Sequence, residues 1–321
     1  MMRRPGPLIV LLAAVLAAGW LLGGWFIPGP LPRDTEFTVR EGESLSAVAQ
    51  RLSDTGAIGA PLPFRLRARI LAGGTPIKAG AFLLPRGASQ RVLLDILQGG
   101  KTIRRFLTIP EGMPSIMVQE RLMAQSNLSG PVAVPAEGSL LPDTYEITAG
   151  ESRAAVVLRM QAARQRALKD LWAKRAPNIV VKTPEQAVVL ASIVEKETGK
   201  PSERGLVAGL YSNRLRQGMM LQADPTIIYP ITRGKPLGRR IRQSEIAAVN
   251  GYNTYAMTGL PLGPITNPGR ESIAAVLNPA KTDALFMVAD GTGGHAFAAT
   301  LEEHNRNVAK WFALRRARGE L

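Results

Sequence analysis

The sequence predicts an α+β protein in three parts: an apolar N-terminal helix, a region of short strand-turn-helix units, and a mixed α/β domain. Three observations carry this. The uncharged run from Leu8 to Ile27 has about the 20 residues that a helix needs to cross a hydrocarbon core. Between Phe37 and Leu122, an apolar strand ending at glycine is followed three times by a helix that opens on serine. From Thr183 onward, capped helices alternate with polar loops and give way to two short apolar strands and a basic helix. The chain therefore divides into an N-terminus over residues 1–7, a helix over 8–27, a linker over 28–35, the strand-turn-helix region over 36–125, a helical connection over 126–182 and a second domain over 183–321.

Arg3 and Arg4 precede the apolar run, so the positive-inside rule predicts a single transmembrane helix with a cytoplasmic N-terminus and the rest of the chain on the far side of the cytoplasmic (inner) membrane. A cleaved signal peptide is the competing reading. Its apolar core is normally shorter, and bulky Trp20, Leu21, Leu22, Trp25 and Phe26 continue beyond the small-residue stretch, which favours a retained anchor. The net charge of +15 calls for a polyanionic neighbour. Beyond the membrane nucleic acid is scarce, and aromatics at 5% leave little for base stacking, so an acidic wall polymer fits better. Cysteine is absent, which excludes disulfides, thiolate metal sites and a catalytic thiol.

The proline-rich stretch Pro28–Arg33 reads as a stiff spacer, because proline removes donors and fixes the backbone. Each repeated unit then follows one plan. Phe37–Gly42 leads to a helix from Ser44 to Leu52, Phe82–Gly87 to one from Ser89 to Leu97, and Leu107–Gly112 to one from Ser115 to Leu122, with serine as the expected N-cap in all three. Uneven spacing argues against a solenoid and for a compact α+β region. The first unit resembles a LysM-like wall-binding module, with a purely structural role as the alternative. Leu140–Tyr145 reads as a bend, followed by a long basic helix rich in alanine.

Thr183-Pro184-Glu185-Gln186 is a helix start with a threonine N-cap, proline at the first helical position and glutamine three residues after the cap. Gly199 and Pro201 end the helix. It carries two glutamates that cannot share a face. Glu197 stacks over Val194, Ile193 and Leu190, whereas Glu195 lies over Ser192, Ala191 and Val188. Glu197 is thus aimed at the more apolar side, where burial and the negative end of the helix dipole both raise a carboxyl pKa. A general acid needs that property. An ordinary last-turn glutamate paired with Lys196 or Lys200 is the plainer alternative, and Glu195 becomes the acid if the helix is rotated.

Polar and aromatic residues gather in the later loops. Gln222, Asp224 and Thr226 follow a helix ending near Gly218, and Tyr252, Asn253 and Tyr255 precede Gly259-Leu260-Pro261. Sugar sites commonly combine aromatic faces with amide and hydroxyl donors, although such residues are often buried turn formers. Ala284–Ala289 reads as a strand, Asp290–His295 as a turn into another, and Thr300-Leu301-Glu302-Glu303 as a capping box. With two histidines and no cysteine, no zinc site is expected. The glycines lack a phosphate-loop order, and no nucleophile elbow is present.

These residues together resemble the endolytic murein transglycosylases, the MltG or YceG-like family. The resemblance rests on Ala191–Thr198 with its Glu-Lys-Glu, Ser202-Glu203-Arg204, Asn213-Arg214-Leu215, Leu221–Thr226, Tyr252–Tyr255, Asn267-Pro268-Gly269, Asn278-Pro279-Ala280 and Gly293–Phe297. Ala223 and Leu262 depart from the family pattern. The resemblance implies an α+β catalytic domain that needs no cofactor, with Glu197 as catalytic acid and Glu195, Gln222, Asp224, Thr226, Tyr252, Asn253 and Tyr255 as candidates for substrate contact. It implies cleavage of the MurNAc-GlcNAc β-1,4 bond inside nascent peptidoglycan strands to leave 1,6-anhydro ends, terminating elongation. Peptidoglycan synthases are the partners it implies. The rivals are a muramidase, with Asp224 as the second carboxylate, and a non-catalytic wall-binding scaffold.

Overall fold

In the computed structural model, residues 7–73 and 75–320 are described, and they form two compact units, residues 1–105 and 106–321. Arg3 and Arg4 lie outside the described residues.

The first unit opens on α1 (Pro7–Phe26) and continues through β1 (Thr35–Val39), α2 (Leu45–Asp54), α3 (Pro61–Leu71), β2 (Gly80–Leu84) and α4 (Gln90–Gly99). β1 and β2 pair antiparallel with Phe37 opposite Phe82, and both rings are buried against Val48, Leu52, Phe64 and Leu93 from the helices. The expected caps form here: Ser44 Oγ accepts from the Ala47 N–H at 3.3 Å and Ser89 Oγ from the Val92 N–H at 3.4 Å. α3 was not foreseen, because Arg65, Arg67 and Arg69 dilute its apolar stripe. Arg67 is buried all the same, with its guanidinium over the Trp20 ring and donating to the Trp20 carbonyl at 2.8 Å.

That contact bears on the expected membrane helix. α1 carries no charge over its 20 residues, but Trp25 is only 4% exposed and belongs to the core of the unit, while Arg91 sits over Phe26. The last turns of α1 are thus spent on protein packing. Among the described residues, no helix is long and apolar enough to cross a membrane. Pro28–Arg33 is likewise not a free spacer. Leu31 is buried, the Gly29 N–H donates to the Gly87 carbonyl at 3.1 Å, and the Gly87 N–H donates to the Leu31 carbonyl at 2.9 Å.

The second unit holds β3 (Arg105–Thr108), α5 (Ser115–Met123), β4 (Thr144–Ile147), α6 (Arg153–Ala173), α7 (Pro184–Glu197), α8 (Arg204–Arg216), α9 (Asp224–Thr232), the short α10 (Gln243–Ile246), α11 (Arg270–Leu277), β5 (Phe286–Ala289), β6 (His295–Ala298) and α12 (Leu301–Ala317). The third strand-turn-helix pattern, grouped by sequence with the first two, therefore falls in this unit. Its cap also differs. Pro114 is the N-cap of α5, and Ser115 is the first helical residue, its N–H and hydroxyl both donating to Glu137 Oε1 at 2.9 and 3.1 Å. β3 pairs with β4, so the bend at Leu140–Tyr145 leads directly into a strand.

α7 is the centre of the unit. Ala187 through Val194 are all buried, and α6, α8, α9 and α11 pack around them. A helix apolar on all sides is stable only when enclosed in this way. Thr183 Oγ accepts from the Gln186 N–H at 3.2 Å, and Gln186 Oε1 reaches back to the Lys182 N–H at 2.7 Å, completing the N-terminal signal. β5 and β6 form an antiparallel hairpin with Met287 opposite Phe297. Thr300 then caps α12, with Glu303 returning a bond to the Ala299 N–H.

Candidate active site

Glu197 is the last residue of α7, and it lies in a cavity of about 230 Å³. α8 contributes Leu210, Tyr211 and Arg214; the loop into α9 contributes Gln222 and Asp224; Tyr255 and the hairpin residues Met287, Val288, Ala289 and His295 complete the wall. These positions are distant in sequence and meet around the C-terminal end of α7, against which α8 packs. The spacing of Tyr211 and Arg214, three residues apart on α8, puts both on the same face.

Within the cavity, Glu197 Oε1 is buried and has no hydrogen-bond partner. An enclosed, unpaired carboxylate oxygen is costly when ionised. Burial foremost, and the nearby Asp224 carboxylate second, push the Glu197 carboxyl from 4.5 up to about 7, against the Tyr211 phenol and the Arg214 guanidinium, which favour the ionised form. Tyr211 is buried, and desolvation holds its own phenol far above the ordinary tyrosine range, so it remains a neutral donor. Arg214 is fixed by its Nε donating to the Leu285 carbonyl at 2.6 Å and its Nη1 to the Leu221 carbonyl at 2.7 Å.

Glu195 faces elsewhere. Its Oε2 accepts from the Gly269 N–H at 2.8 Å and its Oε1 lies 3.5 Å from Arg204 Nη2, which also contacts Glu111 at 2.6 Å. These bonds leave it a structural ion pair, and the rotated-helix alternative does not arise.

The loop candidates separate into two groups. Asp224, at the first position of α9, accepts from the Tyr255 hydroxyl at 2.7 Å, and both side chains line the cavity. Burial first and the Asp224 bond second raise the Tyr255 phenol well above its usual range. Gln222 is exposed at the cavity rim with φ of +52°, a conformation that costs a non-glycine residue on the order of 1 kcal/mol or more. Its N–H donates to the Thr254 carbonyl at 3.1 Å, which holds the strained turn in place.

The other candidates are framework. Thr226 is fully buried, its hydroxyl 2.8 Å from the Thr254 hydroxyl and 2.7 Å from the Ala223 carbonyl. Asn253 is fully buried too, its Nδ2 donating to the carbonyls of Ile246 and Ala248 at 2.9 and 2.7 Å. Tyr252 packs its ring against Tyr229 at 4.9 Å between centroids and does not line the cavity. Residue type alone could not separate these from Asp224 and Tyr255, since all lie in loops of similar composition. Sequence reasoning gave no role to Tyr211, Arg214 or His295. The signal was weak: Tyr211 sits on a helix whose apolar residues are spread all round, and His295 at a glycine turn.

A stability prediction follows from the raised pKa. The folded protein holds the Glu197 proton up to about pH 7, whereas the unfolded chain releases it near 4.5, so folding is penalised increasingly as pH rises across that window. At 1.36 kcal/mol per pH unit the full penalty is about 3 kcal/mol. Glu197→Gln is expected to unfold at higher urea than wild type at about pH 8, with the difference vanishing near pH 4.5. Equal gains at both values would show that burial does not penalise this carboxylate.

The sequence pattern of the YceG-like family matches residues 37–310. An endolytic murein transglycosylase of Bacillus subtilis is 25% identical over 334 residues, covering 91% of each chain. One from Streptococcus pneumoniae serotype 2 is 28% identical over 358 residues, covering 94% of this chain and 64% of that one. A crystal structure of a yceG-like protein from Listeria monocytogenes superposes with a TM-score of 0.53 at 25% identity, covering 86% of this chain and 99% of that one. The family pattern takes in α7, the cavity and both hairpin strands, and this chain belongs to the YceG-like family.

Proposed function

We propose that this chain is an endolytic murein transglycosylase that cleaves the MurNAc-GlcNAc β-1,4 bond within peptidoglycan strands, with Glu197 as its acid and base. The observation that carries the reading is a buried carboxyl group in a sugar-sized cavity, unpaired at Oε1 and with its pKa pushed up to about 7 by its burial. As the acid, Glu197 protonates the glycosidic oxygen while the C1–O bond breaks. As the resulting carboxylate, it takes the proton from the muramic acid C6 hydroxyl, whose oxygen attacks C1 and closes the 1,6-anhydro ring. The same residue thus starts protonated and ends protonated. Because the first step needs the acid form, kcat/KM is expected to fall as pH rises through about 7.

Mass spectrometry of products from purified glycan strands is the test. Anhydro-muramic ends are expected. Reducing muramic ends, made by water, would overturn the transglycosylase mechanism in favour of a muramidase, for which Asp224 beside Glu197 supplies the second carboxylate.

The same proposal extends to location and partners. The exposed, uncharged surface of α1, with Leu8, Ile9, Leu11, Leu12, Val15 and Leu16, supports association with the cytoplasmic membrane, and Arg3 and Arg4 in the same stretch of sequence suit its anionic headgroups. The β1-α2-α3-β2 arrangement supports a LysM-like, glycan-binding role for the first unit. Action on nascent strands would place peptidoglycan synthases nearby and make the cleavage a terminator of elongation.

A further inference from the structure

His295 opens β6 and lines the Glu197 cavity. The ring is held from behind. Glu203, which ends a 3-10 turn at Pro201–Glu203, accepts from the His295 backbone N–H through Oε1 at 3.1 Å and meets the ring Nδ1 through Oε2 at 2.8 Å. Oε2 also accepts from the Thr198 hydroxyl at 3.3 Å, and Lys200 Nζ lies 3.6 Å from Oε1. Thr198 is the C-cap of α7 and the neighbour of Glu197. One buried carboxylate therefore ties the start of β6 to the helix end that carries the proposed acid.

The turn sequence is built for this approach. A Cβ on Gly294 would stand 2.1 Å from Glu203 Oε1 and 2.9 Å from Lys200 Nζ, so any larger residue would have to displace the carboxylate from its present place. The bonds from His295 outweigh the burial of Glu203 and hold its carboxyl below the usual range, which makes it an acceptor. The Glu203 carboxylate accepts a hydrogen bond from Nδ1, so in the neutral ring Nδ1 carries the hydrogen and Nε2 presents a lone pair. Among the described residues nothing is hydrogen-bonded to Nε2.

We propose that His295 is a substrate-contacting residue whose Nε2 accepts a hydrogen bond from a hydroxyl or acetamido N–H of the sugar held against Glu197, and that Glu203 is its positioning residue. The proposal rests on the glycan-cleaving reading above. His295 and Glu197 line the same cavity of about 230 Å³, a volume of the order of one pyranose ring, so one sugar seated there lies within reach of both residues. The sugar is thereby oriented before bond breaking, which is where positioning lowers a barrier.

The chain has only two histidines, so histidine labelled with nitrogen-15 reports His295 with little overlap. Full-length Glu197→Gln, expected to bind without turnover, is titrated with a defined GlcNAc-MurNAc tetrasaccharide. The expected result is an Nδ1-protonated tautomer before addition and an Nε2 resonance that shifts with saturation. In a Glu203→Gln background the tautomer preference is expected to weaken. In kinetics, His295→Gln, whose amide reaches the Nε2 position, is expected to retain most of kcat/KM. His295→Asn, which reaches only the Nδ1 position, is expected to lose it about 100-fold, a split that a purely structural role would not produce. Glycan binding with an unmoved Nε2, or equal losses in the Gln and Asn variants, overturns this inference alone. Absence of glycan binding by Glu197→Gln and of cleavage by wild type overturns it together with the reading on which it rests.

Discussion

Glu197→Gln is expected to leave folding intact and lower strand cleavage by at least about 10³-fold, since proton transfer by a positioned side chain contributes on the order of 10² to 10⁴ and here one group performs two transfers. The amide has the shape of the acid but no proton to give to the leaving oxygen and no basicity to receive one. It also relieves the cost of a desolvated negative charge beside Asp224, so the inactive variant is the more stable one near pH 8. That opposition separates a catalytic role from a structural one. A carboxylate retained for packing would lose stability on replacement and leave turnover largely untouched. Release of soluble glycan fragments from purified sacculi reads the first effect, and full activity in the variant would remove Glu197 from the chemistry.

Replacing Arg214 with Met is the change expected to damage both fold and site. Arg214 is 8% exposed, and its guanidinium donates to the carbonyls of Leu285, Leu221 and, more weakly at 3.4 Å, Met220, joining α8 to the loop before α9 and to the strand edge at β5. Truncation leaves those carbonyls without their donor in a buried setting, at a cost of about 3 kcal/mol. It also removes a guanidinium charge that favours the ionised form of Glu197, so the carboxyl pKa rises further and the alkaline fall of kcat/KM moves to higher pH. Urea unfolding and a pH-rate profile measure the two consequences separately. An unchanged profile in a destabilised protein would show that Arg214 acts on the framework alone.

The features legible in the sequence were those written locally. Ser44, Ser89 and Thr183 announce helix starts because a cap and its partner lie three residues apart. Helical phase favoured Glu197 on the ground that Glu195 lay over a more polar stripe, but α7 is buried on both faces and the Glu195 side chain is itself buried; what distinguishes the two is that Glu195 is engaged by Gly269 and Arg204, contacts that no local pattern encodes. The helix α9 was read as loop because Asp224-Pro225 resembles a turn as much as a first helical turn, and Pro230 interrupts its pattern. The polar loop residues were read by type, but whether a threonine or asparagine faces a cavity or a carbonyl depends on the chain that crosses it. Thr226 and Asn253 face inward for that reason. The partners of Glu197 arrive from α8 and from a hairpin nearly a hundred residues later, and only the packed unit brings them together.

The seating of Trp25 has a practical consequence for fragments of this protein. Cutting the chain at Pro28, where composition changes from apolar to proline-rich, would remove an indole ring lodged in the core of the first unit. It would also leave the Arg67 guanidinium without the Trp20 carbonyl and ring that receive it. A hole of that size costs on the order of 3 kcal/mol, comparable with a large part of the stability of a unit of this length. The boundary of the autonomous folding unit thus lies inside α1, upstream of Trp20, and a soluble fragment must carry part of the apolar helix with it.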